Sequence, residues 1–166
     1  MLAITSSKKL DQTAALLSSY PRKRKPLTAA HEAIYVQEYR SNRMGKRGLS
    51  RVVSSLESWM HRAIASSCVS GSILELGAGT LNHIPCEPSV SSYEIVEPFH
   101  ALWEDSPYRS RISAFYDDVL DIPQQRRYDR ILSVAVLEHL TDLPRIVARS
   151  GMLLAPGGCF SSRHSD

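Results

Sequence analysis

Ile73-Leu74-Glu75-Leu76-Gly77-Ala78-Gly79-Thr80 is the stretch from which the fold can be read. Its first half is apolar on both alternating faces, which marks a strand buried on both sides, as in a parallel sheet. Two glycines with one residue between them follow at once. They mark a tight turn from strand into crossover, where the backbone must approach something closely. In an open α/β sheet that something is a nucleoside-containing ligand, bound beyond the carboxyl end of the strand.

The flanking residues narrow the ligand. Phosphate-bearing dinucleotides use G-x-G-x-x-G, but Gly77-Ala78-Gly79-Thr80-Leu81-Asn82 lacks the third glycine. Glu75 stands beside the turn, and a carboxylate there is unhelpful to a pyrophosphate, which wants N–H groups and a helix N-terminus. It suits a cationic ligand such as S-adenosylmethionine, which carries a sulfonium and an ammonium and no phosphate.

Downstream, Pro85 and Pro88 limit the first crossover helix to one or two turns. Tyr93 to Val96 reads as the second strand, with Glu94 exposed and Glu97-Pro98 at its end. Glu97 lies 18 positions after Gly79, close to the ~20-residue spacing at which an acid meets ribose hydroxyls. Phe99 to Trp103 begins a second helix, and Arg111 to Tyr116 is a third strand. In Asp117-Asp118-Val119-Leu120-Asp121-Ile122-Pro123, Asp118 can accept from an adenine amino group and Val119 can pack on the ring; a plain acidic turn is the alternative. Asp129 to Val134 is the fourth strand. After Ala135-Val136-Leu137-Glu138-His139-Leu140, a helix from Leu143 to Ala155 is interrupted near Gly151, and Pro156-Gly157-Gly158 turns into Cys159-Phe160.

Upstream, residues 1–20 carry only a weak apolar stripe, Leu10, Ala14 and Leu17, and the four cations of Pro21-Arg22-Lys23-Arg24-Lys25-Pro26 read as a solvated linker. Thr28 can cap a helix over 29–42. On it His31, Tyr35 and Tyr39 share a face, either half-buried or forming a polar-aromatic lid. Ser41 to Gly48 reads as a basic turn. Leu49, Val52, Val53, Leu56, Met60, Ala63 and Ile64 then repeat at three and four, an amphipathic helix over about 50–66.

The 166 residues suffice for one domain with its own core. With 43% hydrophobic and 22% charged residues the composition is that of a globular protein, and a net charge of +3 gives no argument for nucleic acid. Cys68, Cys86 and Cys159 match no zinc spacing. No run approaches the ~20 apolar residues of a membrane span, and no secretory pattern opens the chain, so the expected location is cytoplasmic.

Taken jointly, E-L-G-A-G-T, V-E-P, D-D-V-L-D-I-P, Y-D-R-I-L-S-V-A-V-L-E-H-L and L-L-A-P-G-G, in order over about residues 70–160, resemble the class I S-adenosylmethionine-dependent methyltransferases that act on small molecules. The resemblance implies an α/β fold, a doubly wound Rossmann-like mostly parallel sheet with N-terminal helices. After a flexible or weakly helical basic segment over 1–26, read from its cations and prolines, it implies a methyltransferase domain over 27–166, with a helical lid at about 27–67 and the core at about 70–166. The family's sheet has seven strands and this chain ends in the fifth, so the sheet is expected to be incomplete at its C-terminal side, with self-association along the open edge. By the same resemblance Glu75, Gly77, Ala78 and Gly79 hold the methionine portion of the cofactor, Glu97 and Pro98 the ribose, and Asp118 and Val119 the adenine. Val134 and Ala135 supply backbone near the sulfonium. His139 is the only candidate base. Some relatives use the Glu138-His139 segment for a metal, but Ala135 stands where they carry another glutamate, and adjacent helical residues point about 100° apart, so no metal is expected. The expected activity is methyl transfer to a small-molecule acceptor. A cofactor-binding module without turnover is the alternative, and a dinucleotide oxidoreductase is disfavoured by Glu75 and the missing glycine.

Overall fold

The computed structural model describes residues 28–43, 50–65 and 71–163. The expected segment 1–26, the end of the basic turn and Cys68 lie outside the described residues. Five strands, β1 (Ser72–Leu76), β2 (Ser92–Val96), β3 (Ala114–Tyr116), β4 (Tyr128–Val134) and β5 (Leu154–Arg163), form one sheet. Its order is β3-β2-β1-β4-β5 and every pairing is parallel. The chain winds outward from β1 to β3, then returns to place β4 on the other side of β1. That reversal leaves a crevice between the carboxyl ends of β1 and β4, where open α/β sheets receive ligands.

The apolar run of β1 is explained by a core on each face. On one side Ile73, Tyr93, Ile95 and Leu132 pack with Leu81, Ile84, Trp103 and with Ile64 from helix α2 (Ser50–Ala65). On the other, Leu74, Leu76, Val96 and Ile131 pack with Val119, Ile122 and with Leu153 from helix α3 (Leu143–Leu153). Each such side chain contributes about 1.5–3 kcal/mol on full burial. Helix α1 (Ala29–Arg43) starts where Thr28 caps it. The Glu32 N–H donates to the Thr28 carbonyl at 2.9 Å and the His31 N–H to Thr28 Oγ1 at 3.4 Å. No helix among the described residues is long and apolar enough to cross a membrane.

Several elements differ from the sequence expectation. The first crossover contains no α-helix, only turns over 79–83 and a 3₁₀ turn, Ile84–Cys86. Leu81 adopts φ 66°, a left-handed conformation that ends any helix, and Pro85 follows. The left-handed state costs about 1–2 kcal/mol for a residue with a Cβ, which the complete burial of the leucine side chain offsets. The second crossover likewise shrinks to a 3₁₀ turn at His100–Leu102, and β3 begins only at Ala114 because Arg109–Arg111 form another. Helix α3 runs unbroken through Gly151, whose position faces open space. Pro156-Gly157-Gly158 lies within β5 rather than before it. The register there steps from Tyr128 opposite Leu154 to Arg130 opposite Cys159, so the extra residues bulge out, with Gly157 at φ 79°.

Glu94 is the sharpest departure. Expected at the surface, it is 3% exposed. It accepts hydrogen bonds from the hydroxyls of Tyr128 at 2.7 Å and Tyr116 at 3.0 Å, and Arg126 stands 3.5 Å away. The neighbours that bury it come from β3 and β4, far away in sequence, so the residues around it in β2 gave no warning.

Candidate cofactor site

The glycine turn leaves β1 with Gly77 at φ 70° and Gly79 at φ 51°, both in the left-handed region that favours glycine. The Gly77 N–H donates to the Val96 carbonyl at 2.8 Å, which continues the β1–β2 ladder into the turn. The Gly79 N–H donates to Glu97 Oε2 at 2.9 Å, and the Phe99 N–H donates to Oε1 at 3.0 Å. The 18-residue spacing therefore closes as a direct contact: Glu97 ties the glycine turn to the loop after β2. Trp103 supports that loop from beneath, its indole N–H reaching the Glu97 carbonyl at 3.4 Å.

Glu97 is 6% exposed. Burial pushes its carboxyl above the usual range, and the two backbone N–H bonds pull the other way. An ionised carboxylate has about four acceptor positions, so those two bonds leave capacity for the hydroxyls of a ribose. Pro98 beside it is exposed.

The other anticipated residues are distributed around the same rim. Ala78 is buried in the turn. Val134, at the end of β4, packs on the α2-side core, and Ala135 follows at φ 52°, its N–H donating to the Arg163 carbonyl at 2.7 Å. This left-handed residue re-aims the chain so that Val136 lies against Gly77, where a Cβ would collide with the valine methyls. Asp118 is exposed at the end of β3 and caps the 3₁₀ turn Val119–Asp121 by accepting from the Leu120 N–H at 2.9 Å, while Val119 is 3% exposed in the α3-side core. His139 is exposed on the 3₁₀ turn Leu137–His139.

Glu75 does not lie on the open side of the turn. It is 2% exposed, accepts from the Tyr93 hydroxyl at 2.7 Å, and sits in a buried polar layer under the turn. Sequence reasoning missed the rest of that layer. His61 on α2 and His83 join Nδ1 to Nδ1 at 3.1 Å, His83 Nε2 meets Glu87 Oε1 at 3.0 Å, and Arg130 of β4 pairs with the same carboxylate. Burial lowers the His83 pKa; Glu75 raises it and Arg130 lowers it further. The one signal in the sequence was an i, i+4 His83–Glu87 spacing.

Two aromatic contacts from α1 were also missed in their particulars. Tyr35 packs on Phe99 with ring centroids 4.8 Å apart and planes inclined at 39°, and the Tyr39 phenol occupies the space that a side chain on Gly79 would fill. Tyr35 and Tyr39 do share a face, 6.0 Å apart, and that face lies against Phe99 and Gly79. The groove of about 610 Å³ along α1, lined by Ala29, Glu32, Ala33, Val36, Gln37 and Ala101, touches none of these rim residues.

Known proteins agree with this architecture. NodS, an N-methyltransferase from Bradyrhizobium japonicum WM9 solved with S-adenosyl-L-homocysteine, superposes with a TM-score of 0.55 at 18% identity, over 75% of this chain and 70% of that one. Phosphoethanolamine N-methyltransferase 1 of Haemonchus contortus gives 0.60 at 14% identity, over 84% and 33%. DhpI in complex with S-adenosyl-L-homocysteine gives 0.56 at 16% identity, over 75% of this chain and 64% of that one, so the present chain spans less than two thirds of DhpI. At these identities the likeness establishes the fold. No curated protein matches the sequence. The family described as "Methyltransferase domain" matches residues 37–163, well over half of the sequence, and the chain belongs to that family.

Proposed function

We propose that this chain binds S-adenosyl-L-methionine at the β1–β4 crevice and transfers its methyl group to a small-molecule acceptor. The observation that carries the reading is the bond between the Gly79 N–H and Glu97, which holds the turn and a buried carboxylate with spare acceptor capacity as one unit. In this reading Gly77, Ala78 and Gly79 line the methionine portion, and Glu75 acts on its positive charge from beneath the turn. Glu97 and Pro98 take the ribose, Asp118 and Val119 the adenine, and the backbone of Val134 and Ala135 flanks the sulfonium. The residues fit such a group better than a dinucleotide: no α-helix follows the turn, so no helix N-terminus awaits a pyrophosphate, and Asn82 stands where the dinucleotide pattern has its third glycine. The relatives solved with S-adenosyl-L-homocysteine support the same choice.

The cofactor supplies an activated methyl group, and the protein's part is positioning and charge. A dedicated base is not required for every acceptor. His139 is the candidate where one is needed, exposed on its turn near Ala135 and Val136. A cytoplasmic location belongs to the same proposal, as does self-association along the outer edge of β5, which pairs with no further strand among the described residues. Calorimetry with S-adenosylmethionine, S-adenosylhomocysteine and NAD tests the cofactor. Binding of the first two and not the third is the expected result, and NAD binding alone would overturn the assignment. A labelled-methyl assay over an acceptor panel then separates turnover from a binding module.

A further inference from the structure

Two loops leave the carboxyl ends of β2 and β3. Glu97 and Pro98 stand on the first, Asp118 and Val119 on the second. The ladder between the two strands closes with the Glu97 N–H donating to the Tyr116 carbonyl at 3.0 Å. Past that bond each chain enters its own 3₁₀ turn, His100–Leu102 on one side and Val119–Asp121 on the other. A side-chain bond joins them there: His100 Nε2 donates to Asp117 Oδ1 at 2.7 Å. The carboxylate only accepts, so Nε2 carries the hydrogen. The imidazole is seated between two aromatic rings, with centroids 5.2 Å from Trp103 and 5.1 Å from Phe115, the latter edge-on. Trp103 in turn donates its indole N–H to the Glu97 carbonyl. A ring already held by packing has little freedom left to lose when it bonds to Asp117.

The two neighbouring aspartates therefore have different partners. Asp117 takes His100, and Asp118 caps the turn that holds Val119. His100 also acts on Glu97 through charge. Burial raises the Glu97 pKa, the Gly79 and Phe99 N–H bonds lower it, and His100 lowers it further. The imidazole thus favours the carboxylate form, the one that accepts from ribose hydroxyls. We propose that His100 and Asp117 are positioning residues for the cofactor: their bond sets the Glu97 loop against the Asp118 loop, so that the two carboxylates are presented at the spacing of one adenosine. The inference rests on the cofactor reading above and deepens it. Both residues act through Glu97 and Asp118 rather than on the ligand. A partly exposed pair of this kind contributes little to global stability, so its effect belongs in affinity.

The test uses the full chain, with S-adenosylhomocysteine and adenosine as probes in calorimetry and urea unfolding measured alongside. His100→Phe keeps an aromatic ring between Trp103 and Phe115 and removes Nε2; Asp117→Ala removes the acceptor. Each should weaken both probes roughly three- to tenfold, the range of one ordinary hydrogen bond, with the urea midpoint nearly unchanged. The double variant should be no weaker than either single one, because both changes break the same bond. Asp117→Asn, which keeps an acceptor oxygen, should recover most of the affinity. Unchanged Kd values in the single variants would overturn the proposal. So would losses that multiply in the double variant, or losses matched by a fall in the urea midpoint, which would make the pair merely structural. If the unaltered chain binds neither probe, the cofactor reading itself fails, and this inference with it.

Discussion

Glu94 and Glu97 stand three residues apart on one strand and its exit, both nearly inaccessible to solvent, yet the regions around them are built differently. Around Glu94, under the sheet, the partners are side chains: two tyrosine hydroxyls from β3 and β4, and Arg126. Around Glu97, at the rim, the partners are backbone N–H groups of two loops. A carboxylate saturated by side chains of packed strands is part of the core. A carboxylate that gathers loop backbone fixes the loops and keeps acceptor capacity pointing outward. Burial of a charge does not by itself identify a site; the kind of partner separates a carboxylate built into the core from one that ties two loops together.

The strongest way to break this distinction is Glu94→Ala. The hydroxyls of Tyr116 and Tyr128 would lose their acceptor inside the sheet, and an unsatisfied buried donor costs about 1–3 kcal/mol. The expected loss of stability is therefore about 3 kcal/mol, read as a lower urea midpoint at unchanged slope. Glu94→Gln, which keeps one acceptor, should lose about half as much. If Glu94→Ala is no more damaging to the fold than Glu97→Ala, the underside cluster is not structural.

Glu97 should show the converse. Glu97→Ala removes the proposed acceptor for ribose hydroxyls, a bond worth about 1.5–3 kcal/mol to a ligand, so S-adenosylhomocysteine should bind roughly ten- to a hundredfold more weakly. Glu97→Gln should lose less. Folded Glu94→Gln protein should bind almost normally. Calorimetry on the three variants decides the matter, and equal affinities in all of them would remove Glu97 from the site.

A pH series adds a third buried group, whose charge is not fixed. Burial lowers the His83 pKa below 6.5. Below pH 6.5 the unfolded chain takes up a proton that the folded chain refuses, so stability rises with pH in that window. The contribution of His83 is present above pH 6.5 and lost as pH falls toward its folded pKa, at no more than about 1.4 kcal/mol per pH unit for one proton. His83→Gln should be less stable at pH 7.5 and show a flatter profile between pH 7 and 5.5. An identical slope in both proteins would assign the acid sensitivity to other groups.

These contrasts also mark what the sequence could reveal. β1, the glycine turn, β2, β4 and the two N-terminal helices were legible because each rests on local information: apolar runs, a cap at Thr28, helical periodicity, and glycines where φ is positive. The doubly wound parallel sheet followed from the resemblance. Local information fails where partners are distant in sequence. Glu94 looked exposed because a single acid in a strand says nothing of Tyr116 and Tyr128. Both short crossovers were expected to hold helix, but Leu81 takes a left-handed conformation stabilised by core packing that no local signal announces. The Glu97–Gly79 contact was within reach because a general spacing rule encodes the geometry of strand, turn and neighbouring strand. The Tyr39 contact was not, because the sequence gives the face of a helix but not the surface it covers.

The smallest expected effect lies at Asp118, where a structural and a binding role share one carboxylate. Oδ1 accepts from the Leu120 N–H at 2.9 Å, which caps the turn that holds buried Val119. The second oxygen is then the group placed to accept from an adenine amino group in the proposed site. Asp118→Ala should weaken S-adenosylhomocysteine about three- to tenfold, the range of one ordinary hydrogen bond, but that loss alone cannot separate a shifted turn from a missing acceptor. Asp118→Asn can. Its carbonyl keeps the cap, which turns the amide NH₂ toward the ligand, and a donor now faces the adenine amino donor. S-inosylhomocysteine, with a carbonyl in place of that amino group, should bind the original protein more weakly than S-adenosylhomocysteine and the Asn variant at least as well. A preference order that is the same in both proteins would confine Asp118 to capping and leave Val119 as the adenine contact from this loop.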